Sequence, residues 1–170
     1  MYPTTVEWYA LYTRSRFEQK VADSLEGKEF EVFLPKIKAW SRRRDRKLRI
    51  EKPLFPGYLF VRTALDPERR LAIVKTPGVV RILGYDREPA PVPAEQIESL
   101  LLAVKSGQDI EPHPYLKVGD KVRVISGPLR DAVGIVVEKQ DKKRRLILSV
   151  DVMNQAVSVS LDACDIEPYR

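Results

Sequence analysis

KIKAWSRRRDRKLRIEKPLFPGYLFVR, residues 36–62, is the stretch whose reading decides the fold. Its first part, Lys36 to Lys52, holds nine Lys or Arg against two acids, a local charge of +7. The whole chain carries +6, so the remainder sums to −1 by the same count (6 − 7). Such a concentration of one sign predicts a solvated hairpin over Ile37–Ile50, with its tip near Ser41–Arg46, where like charges resist compact packing. PLFPGYLFVR, residues 53–62, then turns on Pro-Gly into a strand at Gly57–Thr63. On that strand Tyr58, Phe60 and Arg62 lie on one face, and Leu59 and Val61 on the other. A positive arm beside an aromatic strand points to two binding surfaces, one for a polyanion and one for an apolar protein partner.

Outward from this stretch, the first half of the chain alternates strands and helices. Glu7–Thr13 reads as a strand with Trp8, Ala10 and Tyr12 alternating with Tyr9 and Leu11. Ser15 and Glu18 have capping-box spacing. The helix they predict stacks Phe17, Val21, Ser24 and Leu25 on one stripe and stops at Gly27. Phe30–Leu34 is a second strand. Asp66-Pro67 is an N-cap and first-turn pair for a short helix to Val74. Pro77-Gly78 turns into a strand at Val79–Leu83, EPAPVP at 88–93 is an extended connector, and Ile97, Leu100, Leu101 and Val104 mark an amphipathic helix. Ser106–Tyr115, SGQDIEPHPY, reads as a Pro-stiffened linker. Beyond Leu116 no helical period remains. Strands are expected at Lys121–Ile125, Val133–Glu138, Arg145–Val152, Ala156–Leu161 and Ala163–Glu167. The expected fold class is α+β: an α/β unit over residues 5–105, a linker at 106–115, and an all-β SH3-like barrel at 116–170.

The 170 residues are 44% hydrophobic and 32% charged, ordinary for a soluble globular chain. Cys164 is the only cysteine. With no possible internal disulfide, a reducing cytoplasm is the expected compartment. MYPTTVEWY has neither a basic start nor an apolar core for export, and no apolar run is long enough to cross a bilayer. No P-loop, G-x-G-x-x-G, H-E-x-x-H or C-x-x-C pattern is present. His113, the single histidine, lies between two prolines, and Asp162 and Asp165 beside Cys164 disfavour its thiolate. An enzyme is therefore the weaker class, and neither cofactor nor metal is expected.

The basic arm has two readings: edge protection of a solvated hairpin, or a phosphate-binding surface. Arginine predominates, at 42, 43, 44, 46 and 49, and its planar fork suits phosphate oxygens and stacking on unpaired bases. The strands at Glu7–Thr13 and Gly57–Thr63 have large apolar residues on both faces. The second face is either covered or is an apolar patch for a partner, with Tyr12, Tyr58 and Phe60 as its candidates. In VGDKVRVISGPLRDAVGIVVE, residues 118–138, Gly134 inside a strand predicts close backbone approach.

Together these segments resemble the NusG family of transcription elongation factors over nearly the whole chain. WYALYTRSRFEQKVADSLEGKEFEVFLP, PLFPGYLFVR, TPGVVRILG and EPAPVP fall in family order, and VGDKVRVISGPLRDAVGIVVE resembles the KOW motif. The resemblance implies an N-terminal domain that binds the clamp helices of bacterial RNA polymerase through an aromatic depression at Tyr12, Phe55, Pro56, Tyr58, Phe60 and Ile82. It implies suppression of pausing, antitermination and no bond chemistry. Arg14, Arg16, Lys20 and an arm containing Lys38, Arg42, Arg43, Arg44, Arg46 and Lys47 match the side facing upstream or non-template DNA. Arg69 and Arg70 match positions that touch the opposite side of the polymerase cleft. The KOW domain would contact a small-subunit ribosomal protein or Rho, although Leu129, Ala132 and Val133 stand where the family's general factor carries aromatics. The N-terminal half is closer to specialised RfaH-like paralogues, yet the strand pattern after Leu116 predicts a barrel that does not switch to helices. The resemblance implies a monomer with no membrane contact. A housekeeping factor and an RNA-binding or ribosome-associated KOW protein are the alternatives.

Overall fold

A computed structural model of the chain describes residues 5–40, 49–138, 143–161 and 165–170. The chain divides into two compact units, residues 1–91 and 92–170. The first contains β1 (Glu7–Thr13), α1 (Glu18–Gly27), β2 (Glu31–Phe33), β3 (Lys36–Trp40), β4 (Arg49–Pro53), β5 (Tyr58–Thr63), α2 (Pro67–Val74), β6 (Val79–Ile82), β7 (Gly84–Tyr85) and β8 (Glu88–Pro89). The second contains α3 (Ala94–Ser106), β9 (Ile110–His113), β10 (Lys121–Val124), β11 (Val133–Glu138), β12 (Arg144–Val150), β13 (Gln155–Ser160) and β14 (Ile166–Pro168). The α+β class expected from the sequence is the one observed.

The first unit is built on a four-stranded antiparallel sheet ordered β2-β5-β1-β6. Two central strands with large apolar residues on both faces must bury much of each face. One face packs Tyr9, Leu11, Leu59 and Val61 against Val21 and Leu25 of α1 and Ile73 of α2. Asp66 caps α2 as its sequence predicts, accepting the Arg69 N–H at 2.8 Å. The opposite face carries a chain of rings. Phe60 stacks on Phe33 with centroids 5.9 Å apart, and Phe33 meets Trp8 edge-on at 6.3 Å. The basic arm is a hairpin with Lys36 opposite Pro53 and Trp40 opposite Arg49. Arg42, Arg43, Arg44, Arg46 and Lys47 at its tip lie outside the described residues, as does Cys164.

The capping box expected at Ser15 and Glu18 is not formed. Phe17 occupies the N-cap without a side-chain bond, and the Glu18 carboxylate is turned elsewhere. Arg16 takes a left-handed φ of 66°, which lets the Phe17 N–H reach the Arg14 carbonyl at 3.1 Å and starts the helix there.

The second unit holds a six-stranded antiparallel sheet ordered β14-β10-β11-β12-β13-β9. After Leu116 the described residues form strands and one 3-10 turn at Asp151–Met153. Gly134 makes the close approach its place in a strand predicts: a Cβ there would lie 2.4 Å from the Ile147 carbonyl oxygen. Two boundaries differ from the sequence reading. Ile110–His113, expected in a linker, is strand β9, with Pro112 opposite Val157 and His113 opposite Ala156. Helix α3, expected in the first unit, groups with the second and packs against β11 and β12. Polar ties hold it there. The Val133 N–H donates to Ser99 Oγ at 2.9 Å, and Gln96 donates to Asp151 at 3.0 Å. Glu95 accepts from Lys121 at 2.7 Å and from the Tyr169 hydroxyl. Burial pushes the Glu95 carboxyl up, but the hydrogen bonds from Lys121 and Tyr169, with the charges of Lys121 and Arg123, leave it below its ordinary value.

Candidate protein-docking and nucleic-acid surface

The turn that introduces β5 positions the candidate docking residues. The Tyr58 N–H donates to the Phe55 carbonyl at 3.0 Å, closing a four-residue turn. Pro56 stands second and Gly57 third, with φ of 86°. Pro then Gly at these positions, with positive φ at the third, defines a type II turn. The turn is held at both ends of its third residue, Gly57. The Thr13 N–H donates to the Gly57 carbonyl at 2.8 Å, and the Gly57 N–H donates to Glu18 Oε1 at 2.9 Å.

Register places Tyr12 opposite Tyr58, and their rings sit 5.3 Å apart with a tilt of 42°. Gly57 passes beneath Tyr12: a Cβ there would come within 3.3 Å of the ring. Tyr12 is 38% exposed, Tyr58 half-buried and Pro56 exposed. These three make an aromatic, hydroxyl-tipped surface at the end of the sheet. Tyrosine suits such a site because its ring packs while its hydroxyl stays wet.

The other residues grouped here by the sequence reading divide differently. Phe55 is 2% exposed and Phe60 0%, joined edge-on at 6.4 Å. Both rings are buried, whereas Tyr12 and Tyr58 reach the surface. Ile82 pairs with Leu11 and packs on the helix-covered core, so it lies on the opposite side of the sheet from Tyr12. The neighbour across from Tyr12 on β6 is the exposed Arg81. Sequence reasoning missed Arg81 and the role of Glu18. Strand parity along β6 alternates the two faces, but only the register with β1 decides which residue meets Tyr12.

The basic residues lie on adjoining elements. Arg14 and Arg16 are exposed in the segment after β1, and Lys20 is exposed on α1 with its ammonium 5.1 Å from the Phe17 ring centroid. Lys38 is exposed on β3. A hydrogen bond from Lys36 to Gln19 ties the base of the hairpin to the first turn of α1. Arg69 and Arg70 sit on α2, on the helix side of the sheet, paired with Asp66 at 2.7 Å and Glu88 at 3.7 Å. In the second unit Leu129 is 1% exposed and Ala132 is buried, while Val133 is half-buried with its N–H on Ser99.

A cleft of about 530 Å³ in the first unit is lined by Lys28, Arg62 and Arg69 together with Glu29, Asp66 and Glu68. Its charges balance. Lys28 is bound to Ala72 and Thr76, Arg62 to Glu31 and Arg69 to Asp66. Among the described residues no group of three or more His, Cys, Asp or Glu could hold a metal. No described helix is long and apolar enough to cross a membrane.

Comparison with known proteins bears on these surfaces. A family model described as "Transcription termination factor nusG" matches residues 6–101, and a KOW motif model matches residues 118–153. The chain is 29% identical over 176 residues to the transcription termination/antitermination protein NusG of Thermus thermophilus, covering 93% of this chain and 96% of that protein. It is 28% identical over 171 residues to the protein of the same name from Escherichia coli K12, covering 94% of each. In fold it is similar to a solved structure of Thermotoga maritima NusG, with a TM-score of 0.58, 22% identity and 98% of both chains covered. With more than half its length matched by the family model, the chain belongs to the NusG family, a family of transcription termination and antitermination factors rather than enzymes.

Proposed function

We propose that this chain is a transcription elongation and antitermination factor that docks on the clamp helices of bacterial RNA polymerase and suppresses pausing. The observation that carries this reading is the Tyr12–Tyr58 pair, presented beside exposed Pro56 within the family-matched unit. Pro56, Tyr12 and Tyr58 make the contact, Phe55 and Phe60 hold it rigid from beneath, and Arg81 adds a cation at its edge. Such a factor acts by binding one polymerase state better than another, which shifts the population toward that state.

Arg14, Arg16, Lys20, Lys38 and the arginine-rich tip of the hairpin take upstream or non-template DNA through its phosphates. Four to six contacts with single-stranded phosphates give a slope of log K against log salt of about −3 to −4. Arg69 and Arg70, on the helix side, reach a second polymerase surface. The role is that of a specialised paralogue of the RfaH-like kind. The modest identity to general NusG proteins and the burial of Leu129 and Ala132, two of the three positions where the general factor carries aromatics, support this. The full-length likeness to general NusG proteins favours a second reading, a housekeeping factor whose KOW unit binds Rho or a ribosomal protein.

Capture of core RNA polymerase by the wild-type chain and by a Tyr12→Ala/Tyr58→Ala variant tests the docking surface. Binding lost in the variant is the expected result, and binding that survives it removes the surface. Tight binding of Rho or the ribosomal protein by the same chain selects the housekeeping role.

A further inference from the structure

Glu18 is a buried carboxylate at the first position of α1, and its bond runs 39 residues along the chain to Gly57. An acid in the first turn of a helix ordinarily stays in solvent and serves the helix dipole. Here the side chain leaves the helix and enters the turn at Phe55–Tyr58. A type II turn satisfies the N–H of its fourth residue and leaves that of its third without a partner inside the turn. Gly57 is that third residue and is buried, so its N–H requires an acceptor from elsewhere. Glu18 Oε1 supplies it at 2.9 Å, and the Thr13 N–H fixes the other end of the residue through the Gly57 carbonyl at 2.8 Å.

The direction of the Pro56–Gly57 peptide distinguishes a type II turn from a type I turn. Whatever holds that peptide therefore sets where Pro56 points and how Tyr58 meets Tyr12. We infer that Glu18 is a positioning residue of the docking surface: its carboxylate locks the Pro56–Gly57 peptide and thereby seats Pro56 and Tyr58 beside Tyr12. The inference rests on the polymerase-docking reading of that surface.

Equilibrium titration of core RNA polymerase with the full chain, combined with amide hydrogen exchange, tests it. Glu18→Ala is expected to weaken binding about tenfold, the loss of one hydrogen bond to a charged group. Exchange at the Gly57 amide rises while Leu59 and Val61 keep their protection. Glu18→Gln, which retains a carbonyl acceptor but no charge, is expected to bind within about threefold of wild type. A helix-dipole role predicts the reverse, with Gln no better than Ala. Should Glu18→Ala fail to fold, Glu18→Gln and Gly57→Ala carry the test, since an alanine at this φ displaces the same peptide and weakens binding. Wild-type binding by Glu18→Ala alongside weakened Tyr12→Ala/Tyr58→Ala overturns the inference and leaves the docking surface standing. Wild-type binding by the double tyrosine variant overturns both.

Discussion

Two turns built on proline and glycine, Pro56-Gly57 in the first unit and Gly127-Pro128 in the second, use similar residues to opposite ends. Phe55-Pro56-Gly57-Tyr58 pushes Pro56 and Tyr58 outward, because its ends are bolted to β1 and α1. In Gly127-Pro128-Leu129-Arg130-Asp131-Ala132, the Ala132 N–H donates to the Leu129 carbonyl at 2.9 Å and the Asp131 N–H to Val124 at 2.8 Å. That folds the loop inward, so Leu129 and Ala132 fill the core and Arg130 is left outside. A motif position therefore says which segment is present; the hydrogen bonds around the turn say whether its apolar residue is offered to a partner or kept.

The sharpest way to break this contrast is within the first unit. Phe60→Ala removes a fully buried ring from a stack and is expected to cost about 3–5 kcal/mol of stability. Tyr12→Ala, on the paired strand β1, should leave thermal unfolding nearly unchanged while removing polymerase binding. If Phe60→Ala melts like wild type, the division into support and contact is wrong. In the second unit Leu129→Ala is expected to cost about 2–4 kcal/mol in denaturant unfolding, and Arg130→Ala within about 0.5 kcal/mol of nothing. Equal effects would mean that the loop is not packed inward. Asp66→Ala, which removes the cap of α2, should cost about 1 kcal/mol, read as a lower melting temperature.

The smallest effect is a pH dependence in the second unit. Glu95 is held below its ordinary value, so its contribution is fully present above that value and is lost as pH falls through its depressed folded value. Hydrogen exchange in α3 should therefore rise at acid pH below the usual carboxylate range. Glu95→Gln should show the faster exchange at neutral pH and no further acid step from this group.

Much of this architecture is legible in the sequence because it follows local rules. Asp66-Pro67 announces α2, Pro56-Gly57 announces a turn, and Gly134 announces a crowded strand. What escapes is decided by partners distant in the chain. Ile110–His113 contains a proline, which argues against a strand, yet β9 is an edge strand and tolerates the missing donor. Glu18 has the spacing of a capping box, but a buried N–H on another element outcompetes the helix for it. Ile82 and Arg81 are adjacent, and only the register with β1 assigns one to the core and the other to Tyr12. The placement of α3 depends on Glu95, Gln96 and Ser99 meeting Lys121, Asp151 and Val133, which no periodicity contains.

The pairing of β9 with β13 has a practical consequence for anyone cutting the chain. A fragment beginning at Leu116, where composition suggests the border, discards the strand that covers one edge of the sheet. The backbone of β13 from Ala156 to Val159 would then stand open as a template for strands of neighbouring molecules. Such a fragment should self-associate at concentrations where one starting at Gly107 stays dispersed.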